Sequence, residues 1–213
     1  MKAITDPRAR RVRVAAAGGA LALALFTAAC GGHDSGNGNS ADHNMGGQPS
    51  ASAPRTGATF NGTDVKFATD MIPHHQQAVD MAKLAETKAA TPAVKDLAAR
   101  ISKAQGPEIA TMSGWLKAWG EPVPSAGAMD HGMDHSMPGM MSQQEMQQLA
   151  AASGTAFDKM FLTMMIKHHE GAVEMARTEQ EKGADPAAKK LAADIATSQT
   201  AEIAEMKAML AKL

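Results

Sequence analysis

The 213-residue chain is 44% hydrophobic, 20% charged and only 3% aromatic, and 21 basic against 22 acidic side chains leave a formal net charge of −1. So balanced a charge excludes a protein that holds nucleic acid through an electrostatic patch, and the shortage of aromatic residues excludes most sandwiches and barrels. What stands out is soft chemistry: 17 Met and 8 His on an Ala-rich background, which predicts an all-α fold.

The chain opens with a basic segment carrying Arg8, Arg10, Arg11 and Arg13, followed by an apolar run from Val14 to Ala29. That run is too short for a membrane span of roughly 20 residues and has the form of an export signal. It ends in Thr27-Ala28-Ala29-Cys30, small residues before the only Cys, so a disulfide framework and a thiolate metal cluster are excluded. The pattern is similar to a lipobox, with Thr27 where Leu is usual. The expectation is loss of residues 1–29, lipidation of Cys30 and anchoring to the extracytoplasmic face of the cell membrane. Arg10-Arg11 leaves the general and twin-arginine export routes both open. Residues 30–59, rich in Gly, Ser, Asn and Pro, read as a disordered tether with sparse donors at His33, His43 and Met45.

From residue 60 to 213 the chain reads as one helical domain built on an internal repeat. The run Phe67 to Ala82 aligns without a gap to Phe161 to Ala176, an offset that carries Leu97, Ile101, Gln105, Glu108, Ile109 and Met112 onto Leu191, Ile195, Gln199, Glu202, Ile203 and Met206. Each unit is a helical hairpin, repeat one at about 60–119 and repeat two at about 142–213, joined by a Met/His-rich loop at about 120–141. Two hairpins make a four-helix bundle. Thr91-Pro92 and Asp185-Pro186 each place an N-cap before a Pro at the first helical position. Helices are predicted at about 63–88, 92–119, 155–181 and 186–211, with an extra turn opened by the capping box Ser142 to Glu145. Pro73 and Pro107 are expected to kink the first two.

On the first helix Phe67, Met71, His74, Ala78 and Met81 form one stripe, with His75 on the neighbouring one; Phe161, Met165, His168, His169, Ala172 and Met175 repeat the pattern. Packing about a pseudo-two-fold axis brings His74, His75, His168 and His169 into the bundle interior. A Met stripe at this spacing is commonly core packing, but burying four imidazoles costs desolvation that a purposeless arrangement does not recover. Gln105 with Glu108, and Gln199 with Glu202, are placed to accept a proton from imidazole nitrogen and fix its tautomer, or else to face solvent. Asp80 and Glu174 are matched acids with the same two readings. The connecting loop holds Met129, His131, Met133, His135, Met137, Met140 and Met141, a donor set suited to Cu(I) or Ag(I), with imidazole also suited to Cu(II).

The two His-His runs, Met71 to Ala82 and Met164 to Ala176, resemble the signature of the family called domain of unknown function 305, over about residues 60–213. The resemblance implies an exported, ferritin-like bundle, with copper binding and copper resistance in some members. It implies as metal ligands His74, His75, His168 and His169 with Met71, Met81, Met165 and Met175. Lys167 stands where the first copy has Pro73, so the halves are not identical.

The function expected is non-enzymatic copper sequestration or relay, Cu(I) preferred and silver as the second candidate, in exchange with other copper-handling proteins. A di-iron oxidoreductase needs Glu-x-x-His on two helices, which the chain lacks; iron is therefore the weaker candidate. A helical interaction module without metal is the other alternative.

Overall fold

The computed structural model describes residues 59–125 and 137–213. The signal, Cys30, most of the tether, Met129, His131, Met133 and His135 lie outside the described residues. Among the described residues there are five helices and no strand: α1 (Gly62–Lys88), α2 (Pro92–Trp119), α3 (Gln143–Ala151), α4 (Gly154–Lys182) and α5 (Pro186–Leu210). None of these helices is long and apolar enough to cross a membrane.

Local chemistry sets the boundaries. Asn61 and Asp64 form a capping box at the start of α1, and Ser142 and Glu145 form another at α3. Thr91 and Asp185 cap α2 and α5, each followed by Pro at a position whose missing N–H has no helical partner to lose. α2 stops at Gly120, whose φ of 79° terminates the helix in the left-handed conformation. α1 and α2 remain helical through Pro73 and Pro107.

α1 pairs with α2 and α4 with α5, and the two hairpins meet chiefly along α1 and α4. Ala68, Ala78 and Ala82 of α1 and Ala172 and Ala176 of α4 are small and buried. A buried carboxylate from each hairpin ties down the other. Asp64 accepts from the backbone N–H of Ala184 and Asp185, and Asp158, its counterpart in the repeat, accepts from Ala90 and Thr91, all at 2.9–3.1 Å. Each repeat thus satisfies the N–H groups at the other's helix–helix turn, which would otherwise be orphaned.

The apolar interior forms two clusters. One gathers Met81, Leu97, Ile101, Met141, Leu149, Phe157, Phe161, Met165 and Met206. The other gathers Phe67, Met71, Ile72, Met112, Leu116, Ala172 and Ile195. The first takes the C-terminal half of α1 and the N-terminal half of α4; the second takes the reverse, as antiparallel pseudo-symmetry demands.

Candidate metal centre

Between the two apolar clusters lies a layer of polar side chains. α1 contributes His74, His75 and Gln77 between Ile72 and Ala78, and α4 contributes His168 and His169 between Met165 and Ala172. α2 and α5 add Gln105 with Glu108 and Gln199 with Glu202. All four imidazoles are 0% exposed, out of reach of bulk water. The His74 and His168 rings lie 3.7 Å apart between centroids, and His168 and His169 6.3 Å apart.

Hydrogen bonding assigns the protons. His75 Nε2 is 2.8 Å from Glu108 Oε2, and His169 Nε2 is 2.7 Å from Glu202 Oε2, so each donates to a carboxylate across its own hairpin. His74 Nε2 is 3.0 Å from the Pro138 carbonyl oxygen, which only accepts. In three of the four rings Nε2 therefore carries the proton and Nδ1 keeps its lone pair. The Nδ1 atoms of all four, and Nε2 of His168, are buried without a hydrogen-bond partner among the described residues, as are the Oε1 atoms of Gln105 and Gln199. Buried polar atoms left unsatisfied in such number are uncommon in a native interior. Burial, then the neighbouring imidazole of His75, holds His74 down to about 3; burial and the imidazoles of His74, His169 and His75 hold His168 well below the usual range. Both rings are neutral at pH 7, the form that binds metal.

Glu108 and Glu202, each about one-fifth exposed, accept from His75 and His169, whereas the Oε1 atoms of Gln105 and Gln199, expected to do the same, accept from no imidazole. Asp80 faces outward and accepts from Gln76 and Lys83. Met71, Met81 and Met165 are fully buried in the flanking clusters, whereas Met175 is partly buried. Among the described residues no group of three or more His, Cys, Asp or Glu side chains is drawn close enough to hold a metal ion as it stands.

Residues 137–141, at the end of the connecting loop, form a strap over the layer. Gln77 clamps it, its amide donating to the Met141 carbonyl and accepting from the Met141 N–H, both at 2.8 Å. Gly139, at φ 79°, sits on the α4 backbone at Lys167 and His168. Gly171 leaves the matching room: a Cβ there would lie 2.0 Å from the Pro138 carbonyl oxygen. The Met141 side chain is buried in core, while Met137 and Met140 are partly buried. Sequence reasoning missed Gln77, Gly171 and Pro138. Their signal was a break in the repeat, Gln77 standing opposite Gly171.

The family model described as domain of unknown function (DUF305) matches residues 64–210. The chain belongs to the DUF305 family. Among solved DUF305 relatives, a secreted protein from Streptomyces coelicolor is 35% identical with a TM-score of 0.64, covering 70% of this chain and 93% of that one. CopM in its Cu(I)-bound form is 37% identical with a TM-score of 0.58, covering 71% and 98%. Its co-crystallised Ag-bound form gives 38% and 0.57, covering 70% and 96%, and CopM has also been solved with Cu(II). No curated protein matches the chain. Membership fits what the geometry alone displays, a helical bundle with a doubled His-His layer at its centre.

Proposed function

We propose that this protein binds a soft monovalent metal ion, Cu(I) in preference to Ag(I), within the buried imidazole layer, and that it sequesters or relays that ion outside the cytoplasm. The observation that carries the reading is the set of buried, unpartnered Nδ1 lone pairs, three of them created by Nε2–H bonds to Glu108, Glu202 and Pro138. Neutral imidazole and thioether are the donors such an ion takes, and Met71 and Met165 lie one helical turn before the His pairs. The copper- and silver-bound forms of CopM support the same reading. Carboxylates that orient the rings are bound to the opposite nitrogen, as around metal-bound His elsewhere. The di-iron alternative gains no support, because the carboxylates of the layer accept from imidazole rather than converge.

The proposal includes an acyl anchor at Cys30, with the loop Met129 to Met141 as a second, weaker store of the same ion. Elemental analysis after anaerobic purification tests both stores. A His74→Gln, His168→Gln double variant loses the bundle component, and deletion of residues 129–136 loses the loop component while leaving helical content unchanged. Full metal content in the double variant would overturn the bundle site. Cys30→Ala releases the protein from membranes; unchanged membrane fractionation would overturn the anchor.

A further inference from the structure

All four imidazoles of the layer are 0% exposed, so an ion reaches them only through protein. The two halves of the repeat differ in the way in that they offer. Thr63, Lys66 and Asp70 of α1 with Thr178 of α4 stand, at the 94-residue offset, where the other half has Phe157, Met160, Met164 and Leu84. Those four apolar side chains pack into a core cluster with Leu149 and Met146 of α3, which closes that end. Their polar counterparts instead line a cavity of about 240 Å³, together with Phe67, Met137, Pro138 and Met175.

The cavity adjoins the layer. Pro138, which lines it, accepts the His74 Nε2–H on its carbonyl oxygen at 3.0 Å. Phe67 and Met175, two other walls, stand seven residues from His74 and His168, about 10 Å along each helix axis. Met71 lies between: it is fully buried, shares an apolar cluster with Phe67 and precedes His74 by one turn. The wall common to cavity and layer is strap, not helix. Its ties are the Gln77 clamp and the His74 contact, bonds that can open without unwinding a helix. Met137 and Met175 are each only partly buried, and thioether is a donor that selects Cu(I) over hard cations. Soft donors therefore run inward in sequence, from Met137 and Met175 through Met71 to the imidazoles.

We propose, on the metal reading of the layer, that this cavity is the entry site for the soft monovalent ion: Met137 and Met175 take it there and pass it by Met71 to the imidazoles. The full chain is brought anaerobically to half-saturation with Ag(I), and NMR measures the exchange rate between free and bound imidazole nitrogen signals. Met137→Leu and Met175→Leu are each expected to slow exchange about tenfold or more, as a barrier raised by one lost ligand does. At saturation the same imidazole signals still shift. Thr178→Leu with Asp70→Met installs residues of the closed end and slows exchange without touching a thioether. Met160→Leu with Met164→Leu, at the closed end, leaves the rate unchanged. Wild-type exchange in Met175→Leu or in the closing variant, imidazole shifts lost at saturation in Met175→Leu, or equal slowing by the closed-end pair would overturn the entry site and leave the metal reading standing. Imidazole signals unmoved by Ag(I) in the wild type would overturn both.

Discussion

Single residues decide how the interior responds to pH. Burial holds the His74 pKa at about 3 against an ordinary 6.5, so below pH 6.5 the unfolded chain binds a proton that the folded one refuses. Stability contributed by neutral His74 is complete above pH 6.5 and is lost progressively as pH falls toward 3. His74→Gln should flatten that limb of a urea-midpoint profile; an unchanged limb would mean the ring is not buried neutral. Glu179 acts in the opposite sense. Burial first, then the adjacent Asp64 carboxyl, push it up to about 8 from an ordinary 4.5. The folded state then holds a proton that the unfolded state has released, and stability declines as pH rises from 4.5 through 8. Glu179→Gln keeps a neutral group there and should be the more stable protein at pH 8, by at most about 5 kcal/mol. Wild-type stability that is flat across this interval would contradict the assignment.

At the scale of elements, the helices were legible because most of their starts are written in local chemistry; α4 alone begins without a side-chain cap among the described helices. Thr91, Ser142 and Asp185 sit where a cap is needed, and the 94-residue offset repeats the Thr91-Pro92 signal at Asp185-Pro186. The His pairs and their Glu partners were legible for the same reason. The strap was not. Whether the Met-rich connector crosses the His layer depends on Gln77 reaching the Met141 backbone and on Gly171 leaving room for Pro138, long-range contacts that no local pattern encodes. Gly171→Ala forces the strap outward and should cost about 1–3 kcal/mol by overpacking, read as a fall in Tm. Gln77→Leu strands two buried backbone groups at Met141 and should cost a similar amount. If neither substitution lowers Tm, the strap is not held as described.

The described helices are a reciprocal assembly of two hairpins around a polar middle. No local pattern singles out Asp64 or Asp158. Only the packed pair reveals that each serves the opposite repeat's turn. Asp158→Ala leaves the Ala90 and Thr91 N–H groups without a partner and should cost about 3 kcal/mol, measurable by chemical denaturation. A loss below the error of that measurement would show that the hairpins do not depend on the exchange. The polar middle is the costlier feature, since two apolar clusters would pack more favourably without four imidazoles between them. A metal ion bound through Nδ1 gives that cost a purpose.

Nitrogen-detected NMR of the imidazole side chains during anaerobic Ag(I) titration distinguishes Nδ1 from Nε2 as the binding nitrogen. Nδ1 signals of the buried rings are expected to shift on the first equivalent while the Nε2–H groups of His75 and His169 stay protonated on Glu108 and Glu202. Binding that leaves every buried imidazole signal in place, or that strips the proton from those Nε2 atoms, would contradict it.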